Sequence, residues 1–414
     1  MSDILRANLL SPIALAFALG IVTKLIRSEF SLPKDIYTGL SIYLLFALGL
    51  KGGVELAHTG LAAIALPASV TLLLGCVTPI TAYLVLRRLG RFSSSDSAAV
   101  AAHYGSVSAV TFIAAQQFVQ AQGLTAEGFM PTLLTLLESP GIHIALAIGA
   151  IQRVRNPAGA GIASHAAAHA AAHAAAHAAA APVRAPANAL APAAATLATA
   201  SVAAGSVAAA SLGAPALGDA PLLGTPASAS LPPGGADVPA PPASGVGAGA
   251  QSLRHTLHEV LTARTMVLLV GGLLVGYLMG EKGWEQTRPF FDAPFKGALT
   301  LFILEMGIVA GSRLGDLKKV GPFLLAFAVL MPIVHGALGV WLGSLAGLSV
   351  AGCTVLGTMA ASASYIAAPP AVRVQLPEAN PTYYLTASLA MTFPFNILFG
   401  IPIYYQIAQR VVGH

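Results

Sequence analysis

Two Ser-x-Ser pairs lie inside apolar segments that are long enough to cross a bilayer: Ser106-Val107-Ser108 and Ser362-Ala363-Ser364. The second pair is followed by Pro369. Hydroxyls and irregular backbone at membrane depth are costly unless they face protein, water or a ligand. Two such interruptions at corresponding places in two halves of a chain indicate the substrate site of a transporter.

An interrupted span has free N–H groups where its second half-helix begins, and these groups favour an anion. Nearby hydroxyls can donate or accept further hydrogen bonds. A small anion with several oxygens fits this chemistry, and unwound carbonyls could hold a cation beside it. The alternative is that each serine bonds back to its own helix and only allows close packing. The predicted substrate-binding residues are Gly105, Ser106, Ser108, Thr111, Ser362 and Ser364.

Two carboxylates, Glu138 and Glu305, lie well inside apolar segments. A charge there costs roughly 2.5–3.5 kcal/mol on insertion scales, so a partner or a function is expected. Glu138 shares its segment with Pro140, and Thr392 is its counterpart in the other half. We predict that Glu138, Tyr365 and Thr392 are ion-coupling residues, whereas Glu305 is paired or protonated for structural reasons. His103, His143 and His335 fall in apolar segments and are expected to be packed and hydrogen-bonded.

The composition is that of a membrane protein, because 56% of the 414 residues are hydrophobic and only 9% are charged. A soluble domain carries about 25% charged residues. The net charge of +5 is attributed to cytoplasmic loops and not to nucleic-acid binding. Cys76 and Cys353 lie in apolar segments and do not indicate a disulfide framework. Residues 1–8 lack a strongly basic region, so the first apolar run is interpreted as a retained span.

The apolar segments predict an all-α polytopic membrane protein with ten transmembrane helices. By direct count of the 21 Lys and Arg residues, fifteen fall on the side of the chain's middle segment and six on the other. Positive loops stay cytoplasmic, so the middle segment is placed in the cytoplasm and both termini outside. The predicted spans are residues 9–26, 36–56, 61–86, 97–119, 130–152, 262–280, 293–312, 321–346, 349–370 and 381–409.

The two halves match in order and spacing. Gly49 and Gly53 align with Gly307 and Gly311, the two Ser-x-Ser pairs align, and Pro140 aligns with Pro394. Five spans in each half, joined on the cytoplasmic side, predict two inverted five-helix repeats with broken fourth and ninth helices. The predicted domains are therefore residues 1–153, a linker at 154–257, and residues 258–414.

The linker is rich in Ala, Pro, Gly and Ser, and lacks the large apolar side chains that a core requires. Four histidines recur at every fourth residue: His165, His169, His173 and His177. They are interpreted as a tolerated repeat in an exposed linker. The alternative is a helical stripe of imidazoles that binds a transition metal.

The chain resembles the sodium-dependent bicarbonate transporter family over both halves but not over the linker. The matching stretches are Ser11-Pro12 with Ala16-Phe17, residues 50–53 (LKGG), 105–111 (GSVSAVT), 295–297 (FKG), 312–319 (SRLGDLKK), 332–336 (PIVHG), 361–373 (ASASYIAAPPAVR) and 379–381 (ANP).

The resemblance implies sodium-coupled bicarbonate uptake across the plasma (inner) membrane by an elevator-like movement of a core against a gate domain. It also implies a homotrimer, no catalytic activity, no cofactor besides the coupling sodium ion, and in some members regulation by a PII-like protein. Glu138 stands where the family has an acidic residue in its fifth span. The chain departs from the family where Tyr365 replaces an Asp that follows the second Ser-x-Ser, and where Ala363 and Ala367 replace hydroxyl-bearing residues.

Two other functions remain open at this stage. The same fold could carry another small carboxylate or oxyanion, coupled to protons through Glu138. An intramembrane hydrolase would need a serine beside a histidine, such as Ser106 with His143 or His335, or a pair of facing aspartates. The sequence contains no nucleophile-elbow motif and no pair of membrane aspartates.

Overall fold

The structure is a computed structural model that describes residues 2–155, 262 and 264–413. Nearly all of the predicted linker, including its four histidines, lies outside the described residues. The predicted five-helix halves are the two parts that flank this gap.

Eight α-helices precede the gap. They are α1 (Ser2–Leu9), α2 (Pro12–Leu25), α3 (Lys34–His58), α4 (Leu61–Leu84), α5 (Ser94–Tyr104), α6 (Ala109–Ala121), α7 (Met130–Glu138) and α8 (Pro140–Arg155). The Ser11 hydroxyl accepts a hydrogen bond from Ala14 N at 3.2 Å, and Pro12 occupies the first turn of α2. Both features are typical of a helix start. The bend of 56° between α1 and α2 therefore lies at a capped junction.

Six further helices follow the gap. They are α9 (Arg264–Phe291), α10 (Phe295–Arg313), α11 (Gly321–Leu345), α12 (Val350–Ala361), α13 (Ala368–Gln375) and α14 (Pro381–Val412). Helix α9 continues beyond the predicted span at 262–280, with a kink at Gly280, where φ is 58°. Helix α14 contains π-helical turns at Thr386–Thr392 and Asn396–Gly400. Such turns are frequent at functional sites.

Eight of the described helical stretches are long and apolar enough to cross a membrane. The bent pair α1–α2 would add a ninth, and α12 is an apolar helix of 12 residues that continues past a break into α13. The protein is therefore an all-α polytopic membrane protein. The ten predicted segments all coincide with helices, while ten complete spans and their inverted arrangement stay predictions.

Helices α2 and α10 pack together, and so do α3 and α9. We call these four the paired-helix group. A Cβ on Gly307 would collide with Phe17 O and the Gly20 Cα, and a Cβ on Gly49 would lie 2.9 Å from both Leu269 O and the Gly272 Cα. Glycine is required at both contacts because the backbones touch. The same sequence offset relates Phe17 to Leu269 and Gly20 to Gly272, so the two contacts use equivalent positions.

The remaining long helices form the break-bearing group, in which α4, α5 and α8 pack together and α12 packs against α6, α11 and α14. Small side chains dominate its centre, and Ala98 to Ala102 on α5 are fully buried. The small side chains allow α5 to approach α4 and α8 closely. The two interrupted stretches of chain lie in this group.

Candidate anion-binding site

The first break consists of residues 105–108, between α5 and α6. Ser108 is the N-cap of α6, and its hydroxyl accepts a hydrogen bond from Thr111 N at 3.3 Å. The Ser106 hydroxyl donates to Glu138 O at 2.8 Å. A Cβ on Gly105 would lie 2.9 Å from the Gly141 Cα. The chain therefore leaves the helix where only glycine fits, and it is fixed to the end of α7 and the start of α8.

The second break consists of residues 362–367, between α12 and α13. The Ser364 hydroxyl accepts hydrogen bonds from Ala367 N at 3.2 Å and from Ala368 N at 3.4 Å. The next two residues, Pro369 and Pro370, have no N–H group. The start of α13 is thus capped by Ser364 and has no backbone donor left in its first three residues.

The two breaks are hydrogen-bonded to each other. Ser108 N donates to the Ser362 hydroxyl at 3.0 Å, and Ser364 N donates to His103 O at 2.8 Å. The Ser362 hydroxyl in turn donates to Met359 O at 2.8 Å. These bonds place the start of α6 beside the middle of the second break, so residues 254 or more positions apart form one site.

A cavity of about 30 Å³ lies where the breaks face the paired-helix group. Its volume corresponds to one or two water-sized groups. The polar residues at its wall are Ser41, Ser108, Glu138, Thr265, Ser364 and Tyr365, and Ala109 and Val110 at the start of α6 also line it. Both helix groups therefore contribute to one small cavity, whose wall is mostly apolar with a few polar groups.

The half-helices differ in what they offer to an anion. The first N–H groups of a helix have no intrahelical partner, and in α6 these belong to Ala109 and Val110, which line the cavity. The corresponding groups of α13 are bonded to Ser364 or absent at proline. The expectation that both half-helices have free N–H groups is therefore wrong for the second break, and α6 supplies the backbone donors.

Glu138 is the last residue of α7, and it is 4% exposed. Thr265 lines the same cavity, and Oε2 of Glu138 has no hydrogen-bond partner among the described residues. Glu138 is the one carboxylate at the wall of this cavity. An unpaired carboxyl oxygen at membrane depth can accept a proton or bind a cation.

Tyr365 follows the second Ser-x-Ser and lines the same cavity as Ser108 and Glu138. Its ring packs edge-on against Phe393 with centroids 5.2 Å apart, and its hydroxyl is buried. A phenol at this point can donate a hydrogen bond to an anion, which a carboxylate could not do.

Several predicted site residues lie behind the cavity wall. Gly105, Ser106, Thr111, Ser362 and Thr392 are buried but do not line the cavity. Thr392 lies on the π-helical turn of α14. Its hydroxyl donates to Ala328 O at 2.7 Å and accepts a hydrogen bond from the Tyr104 hydroxyl at 2.6 Å. The structure therefore brings Ser108, Ser364, Glu138 and Tyr365 together at the cavity wall, and the other predicted residues are buried behind it.

Sequence reasoning missed Ser41 on α3 and Thr265 on α9, which face the cavity from the paired-helix group. Each is a lone hydroxyl in an apolar segment, so no repeat or motif identified it. The predicted histidines are packed as expected. His103 Nδ1 lies 2.7 Å from Ala99 O, His143 Nδ1 lies 2.8 Å from Ser139 O, and His335 Nε2 lies 2.8 Å from the Thr81 hydroxyl.

A protein-family model decides the family. The model described as the Na⁺-dependent bicarbonate transporter superfamily matches residues 12–409. The chain belongs to this superfamily. Members are transporters, which agrees with the apolar helices and with the resemblance stated above. No protein in a search of curated sequences gave a significant match.

For a member of the Na⁺-dependent bicarbonate transporter superfamily, the position of the cavity is informative. It lies between two helix groups that are packed internally, and its wall combines backbone donors, hydroxyls and a single carboxyl group. A helix N-terminus favours an anion, and an unpaired carboxyl group can hold a cation or a proton.

Proposed function

We propose that the protein takes up bicarbonate across the plasma membrane, coupled to sodium, and that the anion binds where the broken fourth and ninth helices cross. The observation that carries this proposal is the start of α6, where the free N–H groups of Ala109 and Val110 line a cavity at the crossing of the two breaks. Such an N-terminus favours negative charge.

Within this proposal, sodium would bind next to the anion. Hard cations prefer oxygen ligands, and Glu138 Oε2 and the Thr265 hydroxyl are available oxygens at the cavity wall. The sodium ion would also offset the negative charges of the anion and of the Glu138 carboxylate. Anion and cation would then enter together because each reduces the electrostatic cost of the other.

The proposed architecture is two inverted repeats, with the linker in the cytoplasm and both termini outside. The equivalent contacts Gly20–Gly307 and Gly49–Gly272 support the repeat, because related positions meet in related pairs. Exposed Leu15, Leu19, Val270 and Leu274 give the paired-helix group an apolar outer face. That face suits lipid or the subunit contacts of a homotrimer. Regulation by a PII-like protein is a further expectation from the family.

A second candidate is a transporter of another small carboxylate or oxyanion, coupled to protons or sodium. It is favoured by the single carboxyl group at the cavity wall and by Tyr365 at the position where the family resemblance implies an Asp. With Glu138 alone available, a proton could replace sodium as the coupling ion.

Uptake of labelled bicarbonate into reconstituted vesicles tests both candidates. The proposal expects uptake that follows an imposed sodium gradient. Uptake driven only by a proton gradient, with competition by another small anion, would favour the second candidate. Vesicles that accumulate no anion under either gradient would reject both.

Variants locate the site in the same assay. Ser108→Ala and Ser364→Ala should weaken anion affinity, and Glu138→Gln should alter the cation dependence more than the affinity for the anion. Thr135→Ala is a matched control, because its hydroxyl bonds only to Pro131 O of its own helix. Uptake indistinguishable from the wild type in both serine variants would reject the assignment of the site.

A further inference from the structure

A second cavity, of about 300 Å³, adjoins the anion site and leads away from it. Both cavities are lined by Glu138, Thr265, Ile366 and Ala367. We call the larger one the linker-side vestibule. Its remaining wall comes from the starts of α8, α9 and α13, that is Ser139, Ile142, Arg264, Met266, Pro370 and Ala371. The shared residues make the vestibule a continuation of the small cavity.

The vestibule includes the start of α9, which is the end of that helix that the linker joins. Arg264 is the first residue of α9 and directly follows the gap, and α13 ends two residues after Arg373. The predicted spans place Arg155 at the end of α8 and Lys24 at the end of α2 on the same side of the membrane as the linker. In the predicted topology this is the basic side of the molecule, and basic loops are retained in the cytoplasm.

The two charged residues at the vestibule wall are Arg264 and Glu138. Arg264 is exposed and forms no ion pair within the part of the chain that the structure describes. Glu138 is buried at the inner end, with Oε2 unpaired. A guanidinium in a concave, partly apolar surface raises the local concentration of anions more than the same group on an open surface.

We propose that Arg264 forms a second, low-affinity anion site in the linker-side vestibule, through which a small oxyanion passes between the inner site and the linker-side solution. The guanidinium holds the anion by two parallel hydrogen bonds, as it does with carboxylates. The identity of the anion in this inference rests on the proposed function. The positive electrostatic field at the vestibule depends only on the position of Arg264.

Transport measured from each side tests the role of Arg264. In oriented vesicles, Arg264→Gln should raise the half-saturating bicarbonate concentration on the linker side by roughly threefold at low salt, because the local anion concentration falls. The half-saturating concentration on the opposite side should not change. Arg264→Lys keeps the positive charge, so its half-saturating concentration on the linker side should stay close to that of the wild type. The matched control is Arg373→Gln, an exposed arginine on the same side that does not line the vestibule.

A labelling experiment tests the electrostatic field in the vestibule without a measurement of transport. Pro370 is exposed and lines the vestibule, so Pro370→Cys in a background with Cys76→Ala and Cys353→Ala gives one accessible thiol. A sulfonate-bearing methanethiosulfonate should react faster than a trimethylammonium-bearing one. The rate ratio should fall roughly threefold in Arg264→Gln and with added salt, but not in Arg373→Gln.

The outcomes are separable. If the wild type moves no anion while the labelling ratio depends on Arg264, the proposed function fails and the electrostatic site stands. If uptake proceeds but Arg264→Gln matches Arg373→Gln in both the linker-side half-saturating concentration and the labelling ratio, the vestibular site is rejected.

Discussion

The serines of the two breaks have different hydrogen-bond partners and therefore different roles. Ser108 and Ser364 cap helices and also face the cavity. Ser362 has its hydroxyl fully engaged, as it accepts from Ser108 N and donates to Met359 O. Ser362 is the residue whose side chain links the two breaks.

Replacing Ser362 should therefore affect stability as well as transport. In Ser362→Ala the buried Ser108 N–H loses its acceptor, and leaving such a group unpaired costs about 1–3 kcal/mol. We expect a lower melting temperature in detergent and weaker anion affinity, because the start of α6 is no longer fixed.

The control is Ser69→Ala, since Ser69 is exposed and bonds only to Leu66 O of its own helix. If Ser362→Ala has the same melting temperature as the wild type and Ser69→Ala, the hydrogen bond between the breaks does not stabilise the fold.

The sequence identified these residues but could not assign their roles. Ser-x-Ser in an apolar segment predicts a break, because hydroxyls and irregular backbone are costly there. Which hydroxyl accepts from the other break depends on how α6 and α12 cross, and that is a property of packing. Pro369 and Pro370 follow Ser364 in the sequence, and because proline has no N–H group they remove two donors from the start of α13.

At the scale of helices, the paired-helix group depends on close backbone contact. A Cβ on Gly276 of α9 would collide with Leu50 O of α3, whereas Gly271 on the same helix has open space around its Cβ position. Sequence alignment of the halves pointed to Gly49 and Gly53, but not to their partners on α9.

Gly276→Ala and Gly271→Ala should consequently have opposite effects. The first forces α3 and α9 apart, and overpacking of this kind costs typically about 1–3 kcal/mol. The second places alanine in a helix interior without a clash, which stabilises by about 0.5–1 kcal/mol. Thermal melts of the two variants, side by side, measure the difference. Equal melting temperatures would mean that the close contact of α3 with α9 is not required.

A polar contact joins three elements of the break-bearing group on the basic side. Arg153 of α8 donates to both carboxylate oxygens of Glu378, at 2.8 and 3.0 Å, and the Ser95 hydroxyl of α5 donates to Glu378 at 2.6 Å. Burial alone would raise the pKa of Glu378, but the bonds from Ser95 and Arg153 hold that pKa below its ordinary value of 4.5.

This contact should make stability depend on pH. Because the pKa of Glu378 is lower in the folded state, its contribution is present above pH 4.5 and is lost as the pH falls further, through the folded-state pKa. Glu378→Gln should lower the melting temperature at pH 7, corresponding to about 1 kcal/mol. The difference in melting temperature between Glu378→Gln and the wild type should become smaller below pH 4.5.

Glu285→Gln is the matched control, since its ion pair with Arg288 at 3.5 Å is more than half exposed and contributes little. A gap between Glu378→Gln and the wild type that stays constant down to acid pH would contradict the assignment of this contact as a charge-dependent one.

For the whole molecule, hydropathy was sufficient to predict a polytopic helical protein, and every predicted span coincides with a described helix. It could not predict that α12 has only 12 residues or that α9 continues past Gly280. Those lengths depend on where neighbouring helices and the second break end the regular backbone. Likewise, Ser41 and Thr265 reach the cavity only because the two helix groups face each other.

The topology itself gives the last prediction. The five spans predicted before the linker would place it opposite the N-terminus, and the five predicted after it would return the C-terminus to the first side. Alkaline phosphatase, which requires disulfides and so folds outside the cytoplasm, should be active when fused after His414. It should be inactive when fused after Arg155, where a green fluorescent protein should fluoresce instead. Activity at both positions, or at neither, would mean that one half has an even number of spans. The two halves could then not be inverted copies, and the crossing of the breaks would need another explanation than an inverted repeat.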